Sequence, residues 1–221
     1  LETLGHNVTY IDCLGRHCHN ATFGRGKYPS QIIEKPEIFK DVPRYFKRYG
    51  TTPQKLLSDL PKKSPDVILL TSSMTYWYPA LIDLTDLLSE RFPKTPIFIG
   101  GTYATLCFDH ARKVLPEAKI FPNSQLNEFF ETIGVAFNEQ VFYSTLPDYS
   151  KLYPELDYVV FRSSWGCPFS CSYCAIKNLF PGYFRIDLSS IKSFVDSHAQ
   201  SGKQDFVLYD DAFLFEPDYV K

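Results

Sequence analysis

Uninterrupted apolar runs alternate with amphipathic segments in the first half of the chain. The stretches "PDVILLTSS" (65–73) and "TPIFIGG" (95–101) are continuous and bounded by turn signals, as buried strands of a parallel sheet require. Between them, "PALIDLTDLLSERFP" places Leu81, Leu84 and Leu88 on one face of a predicted helix. Strand, helix and strand joined by short connections predict an α/β fold with a parallel sheet.

Shorter signals predict the elements around this unit. Residues 13–50 are rich in Gly, Pro and aromatics and are predicted to be irregular, except for a solvated helix with an aromatic inner face in "KDVPRYFKRYG" (40–50). One further helix is predicted to end near Gly5 and another to begin at Pro53. Two more helices are predicted over about 103–114 and 125–134, and strands are predicted at 7–12 and 118–121.

A second unit begins at "DYVVFRSSW" (157–165), which predicts a strand that runs directly into a cysteine-rich loop. A helix in "LSSIKSFVDSHAQSG" (188–202) and a strand in "DFVLYDD" (205–211) follow. The helix stripe is formed by Ile191, Phe194, Val195 and His198. We therefore predict a Rossmann-like domain over 1–135, a linker over 136–156 and the first β-loop-α-β unit of a (β/α) barrel over 157–221. Because both ends leave a βαβ pattern unfinished, we expect a fragment whose first strand precedes Leu1 and which is inactive on its own.

The charge balance argues against two classes of partner. The chain has 23 Lys and Arg against 25 Asp and Glu, a formal net charge of −2. No overall field therefore draws it to nucleic acid or to an anionic lipid surface. The most apolar stretch, "DVILL" (66–70), is far too short to span a bilayer. We predict no nucleic-acid partner, no membrane partner and a cytoplasmic location. The alternative is that the basic residues of 40–50 contact nucleic acid; these residues are Lys40, Arg44, Lys47 and Arg48.

Three of the six cysteines lie in "WGCPFSCSYC" (165–174), as Cys167, Cys171 and Cys174. Thiolates at this C-x3-C-x2-C spacing can converge on one centre within a tight loop. A cubane iron–sulfur cluster normally has four cysteine ligands, so three leave one iron open, as in three-ligand catalytic zinc. A structural zinc site that borrows His198, or an iron–sulfur or zinc module for electron transfer or scaffolding, is the alternative interpretation.

The motif "CPFSCSYC", following a predicted first barrel strand, resembles the radical S-adenosylmethionine (SAM) superfamily. The resemblance implies that Cys167, Cys171 and Cys174 bind a 4Fe–4S cluster whose fourth iron is chelated by SAM. It implies reductive cleavage of SAM to methionine and a 5′-deoxyadenosyl radical, which abstracts hydrogen from a substrate. It further implies an electron donor such as flavodoxin or ferredoxin and a small-molecule substrate, which the sequence does not identify. The alternative is a radical SAM enzyme that acts on RNA, which the basic residues of 40–50 would contact.

Two further groups of residues match the superfamily pattern. Tyr173 matches the aromatic residue that lies near the adenine of SAM. Asp210 and Asp211 end the second predicted strand, where the superfamily places polar groups that face the SAM amino group. Strand alternation directs these two side chains to opposite faces, and Asp211 is the stronger candidate. The alternative is that both aspartates cap the following loop.

The stretches "SSMTYWYPALIDL" (72–84), "FIGGTYATLCFDHA" (98–111) and "VLYDDAFLF" (207–215) resemble radical SAM proteins with an N-terminal cobalamin-binding-like Rossmann domain. This resemblance assigns 1–135 to such a domain and 157–221 to the start of a radical SAM barrel. It implies cobalamin as a further cofactor over the strand ends. The residues expected near the corrinoid are Ser72, Ser73, Gly100 and Gly101.

The chain departs from the cobalamin-binding pattern in two places. "FPNSQ" (121–125) stands where the family often has a glycine-rich acidic turn. In "DCLGRH" (12–17), Leu14 occupies the histidine position of the cobalamin motif and His17 the glycine position. An axial histidine is therefore not identified. For Gly100 and Gly101, a tight strand-to-helix turn is the alternative to a role in ligand binding.

Overall fold

The computed structural model of the chain describes three ranges, which are 1–15, 28–149 and 158–220. Within them the chain forms two compact units, whose described residues are 1–15 with 28–63 and 64–149 with 158–220. The predicted domain boundary near residue 135 falls inside the second unit. The assignment of domains to fold families stays a prediction, and both His17 and the last residues of the predicted linker lie outside the described ranges.

The described strands and helices are short. The strands are β1 (Ser30–Ile32), β2 (Lys47–Tyr49), β3 (Ile68–Thr71), β4 (Ile97–Gly100), β5 (Lys119–Ile120), β6 (Tyr158–Phe161), β7 (Ser164–Trp165), β8 (Phe184–Arg185) and β9 (Asp205–Leu208). The α-helices are α1 (Pro53–Asp59), α2 (Tyr78–Arg91), α3 (Gly101–Leu106), α4 (Phe108–Val114), α5 (Leu126–Thr132), α6 (Glu139–Ser144), α7 (Ile176–Leu179), α8 (Leu188–Gln200) and α9 (Pro217–Val220).

In the first unit, β1 and β2 pair antiparallel, and α1 follows with Pro53 in its first turn. The Thr52 hydroxyl accepts a hydrogen bond from the Lys55 N–H at 3.2 Å and caps this helix, whose start at Pro53 the sequence predicts. Three predictions are wrong. Residues 7–12 form no strand, β1 lies in a stretch predicted to be irregular, and the segment 40–50 contains β2 instead of a helix. An alternating pattern yields a strand only where a neighbouring strand accepts its hydrogen bonds.

The second unit contains the predicted parallel sheet, with strand order β3–β4–β5. Its central strand is fully buried at Ile97, Phe98 and Ile99, which fits a continuous apolar run. The helix predicted over about 103–114 is divided into α3 and α4. Its backbone leaves the helical region at Cys107, where φ is −124° and ψ is 40°.

A second parallel pair, β6 and β9, carries the other core cluster of this unit. Phe194 of α8 packs with Val159 and Phe161 of β6, with Ile191 and Val195 beside them. The predicted stripe of α8 is therefore confirmed. The mixed α/β class with parallel sheets is confirmed as well, whereas the Rossmann-like assignment, the barrel and the truncation stay predictions.

The predicted strand into the cysteine loop is interrupted, because β6 ends at Phe161 and β7 pairs antiparallel with β8. The predicted linker contains α6, whose buried Tyr143 stacks on Phe184 of β8 at a centroid distance of 4.3 Å. His198 interacts with its own helix, since its Nδ1 lies 2.9 Å from the Phe194 carbonyl oxygen.

Across residues 1–15, 28–149 and 158–220, no helix combines the length and the apolar character needed to cross a membrane. The predicted cytoplasmic location stays a prediction.

Candidate functional site

The three-cysteine loop is closed at its base by β7 and β8. Ser164 lies opposite Arg185 and Trp165 opposite Phe184 in this antiparallel pair. Gly166 follows directly, with φ at +76°, and a Cβ at this position would overlap the carbonyl oxygen of Gly182. Only glycine permits this backbone approach. One loop whose two ends touch therefore contains Cys167, Cys171 and Cys174. The sequence does not predict this closure, because β7 and β8 have only two residues each.

Within this loop the three thiols are free. Cys171 is exposed, whereas Cys167 and Cys174 are half-buried. The Cys174 N–H donates to the Cys171 carbonyl at 3.1 Å, which folds these residues into a turn. Among the described residues, no group of three or more His, Cys, Asp or Glu side chains is arranged to hold a metal ion. The structure thus brings the three cysteines into one closed loop but not to one centre.

Tyr173 stands out from the loop, with 89% of its surface exposed. A hydrogen bond with the Cys171 thiol raises the pKa of the Tyr173 phenol above its ordinary value, and the charge of Cys171 acts in the same direction. The phenol is therefore neutral at physiological pH. Its exposed ring is available for stacking on a planar ligand, and the predicted role beside adenine stays a prediction.

Asp210 ties the end of β9 to the segment that leads into the cysteine loop. Its carboxylate accepts the Ser163 N–H at 3.0 Å and the Ser164 hydroxyl at 2.7 Å. The Ser164 N–H and the Ser163 hydroxyl also donate to it. Both serines are buried, so this carboxylate satisfies donors that water does not reach. We call these three residues the Asp210 clamp.

Asp211 pairs with Arg162, whose Nη1 lies 2.8 Å from the Asp211 Oδ2. Only 17% and 16% of the two side chains are exposed. The Arg162 guanidinium also lies over the rings of Trp165 and Tyr209, with centroid distances of 4.9 Å to each. The two aspartates thus bind different partners, and each binds the protein itself. Their predicted role toward SAM stays a prediction.

No sequence pattern indicates that Arg162 and Asn123 contact the cysteine loop. Arg162 contacts Trp165 at the start of the loop and Phe180 near its end. The Asn123 side chain donates to the Leu179 carbonyl at 2.9 Å. The contacts of Arg162 with Phe180 and of Asn123 with Leu179 join residues far apart in sequence, which local pattern does not predict.

A buried polar atom at the start of the loop bears on whether the loop can bind an iron–sulfur cluster. The indole Nε1 of Trp165 is buried and has no hydrogen-bond partner. A buried donor of this kind carries a free-energy cost until an acceptor reaches it. The three free thiols are the donor set of iron–sulfur clusters, so they fit such a group in their chemistry, although they do not converge on one centre in this structure.

The residues expected near a corrinoid have contacts within the chain. The buried Ser72 hydroxyl donates to the Met74 carbonyl at 2.8 Å, whereas Ser73 is exposed. Gly101 has φ at +83°, and a Cβ there would overlap the Thr71 hydroxyl. Gly100 has ordinary room. Gly101 is therefore explained by the tight turn from β4 into α3.

This turn gives a testable prediction. Replacing Gly101 by Ala should destabilise the second unit by about 2–3 kcal/mol, because about 1–2 kcal/mol of left-handed strain adds to the overlap with Thr71. Gly134→Ala is the matched control, since φ is +71° there but no atom lies within 4 Å of the added Cβ. Urea unfolding measures both. Equal losses would contradict the proposed overlap.

In comparisons with known proteins, the chain matches no family model and no curated protein. The membership in the radical SAM superfamily that the cysteine motif implies therefore stays a prediction.

Proposed function

We propose that this chain carries the cluster-binding segment of a radical SAM enzyme, with Cys167, Cys171 and Cys174 as ligands of a 4Fe–4S cluster. The observation that carries the proposal is the placement of three free thiols, spaced C-x3-C-x2-C, in one closed loop beyond a parallel strand. That end of a parallel sheet is where active sites of α/β proteins lie. When bound, the cluster supplies the electron that cleaves SAM.

The chain's own residues hold the loop in place for this chemistry. The contact between Gly166 and Gly182 fixes the base of the loop, so that the thiols move within a closed segment. The Asp210 clamp joins the two neighbouring strand ends beneath it. A site positioned by strand ends is held more rigidly than one on a long free loop.

An ion pair of opposite charges lies at the base of the cysteine loop. The Arg162 guanidinium neutralises Asp211 and lies against Trp165, the residue before Gly166. Arginine keeps its charge at all relevant pH values. The exposed Tyr173 ring supplies a flat apolar surface for the adenine of SAM.

The proposal is tested by anaerobic reconstitution of the full-length protein with iron and sulfide, followed by dithionite and SAM. We expect about four irons and four sulfides per chain and the formation of 5′-deoxyadenosine and methionine. Full cluster occupancy with intact SAM would overturn the enzyme proposal and leave an electron-transfer module. One zinc per chain without sulfide would overturn the cluster and favour a structural zinc site.

A small-molecule substrate and an electron donor such as flavodoxin or ferredoxin belong to this proposal, as does a cytoplasmic location. Thiols at this spacing are kept reduced and metal-loaded in such a compartment.

A further inference from the structure

The end of the cysteine loop is hydrogen-bonded to the three-stranded sheet. The short helix α7 begins two residues after Cys174, and its last carbonyl, that of Leu179, accepts a hydrogen bond from the Asn123 Nδ2 at 2.9 Å. Asn123 lies three residues beyond β5, at the carboxyl edge of the sheet. Carbonyls at a helix end have no partner within the helix, so an external donor satisfies one of them.

Asn123 is itself fixed by a second contact. Its backbone N–H donates to the Thr105 hydroxyl oxygen at 3.0 Å, and that hydroxyl donates to the Gly101 carbonyl at 2.8 Å. Helix α3, which begins at Gly101, packs against α7. A continuous series of contacts therefore runs from the end of β4 to the end of the cysteine loop.

These contacts occupy the sheet edge over which a corrinoid would have to lie. The turn at Gly101 is filled by Thr71, the Ser72 hydroxyl is bonded to Met74, and the Asn123 amide is bonded to Leu179. A corrinoid is bulky, and its approach requires open backbone at the strand ends. The described contacts do not fit it.

We infer that the carboxyl edge of β3, β4 and β5 is the docking edge of the cysteine loop, with Asn123 as the positioning residue, and that this edge takes no corrinoid. The docking itself does not depend on a cluster, whereas its effect on a cluster rests on the proposed function.

The test compares Asn123→Asp with Asn178→Asp. The first variant places a carboxylate against the Leu179 carbonyl and removes the donor, while the backbone contact with Thr105 remains. The second makes the same change at an exposed position of α7. Hydrogen exchange is measured in the thiol form at the Phe180 amide, which donates to the Ile176 carbonyl of this helix at 3.1 Å. We expect exchange roughly three- to tenfold faster in the first variant alone.

Asn123→Ala, which removes the donor without adding charge, should give the same direction of change. Equal exchange in the wild type, Asn123→Ala and both Asp variants would overturn the inference. If Asn123→Asp fails to fold, the alanine variant decides. Stoichiometric retention of hydroxocobalamin by the wild type on gel filtration would also overturn it, because the proposed edge would then be open to a corrinoid.

Two properties of the cluster in the reconstituted protein distinguish a positioning role of Asn123 from a merely structural one. We expect the reduction potential and the electron paramagnetic resonance spectrum of the cluster to change in Asn123→Asp and not in Asn178→Asp. If the wild type takes up no iron but exchange is fast in Asn123→Asp, the proposed function is wrong and the docking inference stands. If the cluster loads normally but exchange is unchanged in Asn123→Asp, the docking inference is wrong and the proposed function stands.

Discussion

Replacing Cys171 by Ala should lower the iron content of the reconstituted protein from about four atoms per chain to less than about one. Of the three loop cysteines, Cys171 is the exposed one, so removing its sulfur leaves no cavity in a core. A loss of iron would therefore report lost ligation and not lost folding. Iron and sulfide analysis, with visible absorption, measures the effect.

Cys13→Ala is the matched control for this experiment. Cys13 is also exposed, but it lies in the first compact unit and outside the motif. We expect this variant to load iron as the wild type does. Full iron content in Cys171→Ala, or equal losses in both variants, would contradict the assignment of the ligands.

Replacing Asp210 by Asn should lower the free energy of unfolding of the second unit by about 3 kcal/mol. The donors of Ser163 and Ser164 converge on one oxygen, Asp210 Oδ1, and an amide oxygen can take its place but carries no negative charge. Hydrogen bonds to a charged group are worth about 1.5–3 kcal/mol against about 0.5–1.5 kcal/mol for neutral ones, and both serines are buried. The chain's two tryptophans, Trp77 and Trp165, both lie in this unit, so tryptophan fluorescence in urea reports its unfolding.

Asp196→Asn makes the same chemical change on the surface of α8. Asp196 forms an exposed ion pair with Lys192 one helical turn away, and such pairs are worth about 0.3–0.5 kcal/mol. We expect a loss in that range. A loss of similar size in Asp210→Asn would mean that the Asp210 clamp does not stabilise the strand ends.

The sequence predicted the elements that have a strong local signal. The strands β3 and β4 follow from uninterrupted apolar runs. The central strand β4 is covered on both faces, whereas β3, at the edge of this sheet, leaves Leu69 exposed. The helix α8 follows from its stripe, and Phe194 is indeed its buried residue. By contrast, residues 7–12 alternate in polarity but pair with no strand, so the pattern alone misled.

The candidate site was predictable only in its residue types. The spacing of Cys167, Cys171 and Cys174 indicates a shared loop, and the structure places them in one. The pairing of β7 with β8 and the bond from Asn123 to Leu179 were not predictable. They depend on contacts over long sequence separations, for which a single sequence carries no periodic signal.

The contact between Gly166 and Gly182 makes the intervening segment behave as a macrocycle. A linear peptide loses much of its conformational freedom when distant thiols gather on one ion, and a ring that is already joined loses less. The size of this ring then limits which metal groups its thiols can bind, as ring size does in cyclic chelators. If the proposed cluster binds here, lengthening or opening the ring would weaken cluster binding even with all three cysteines retained.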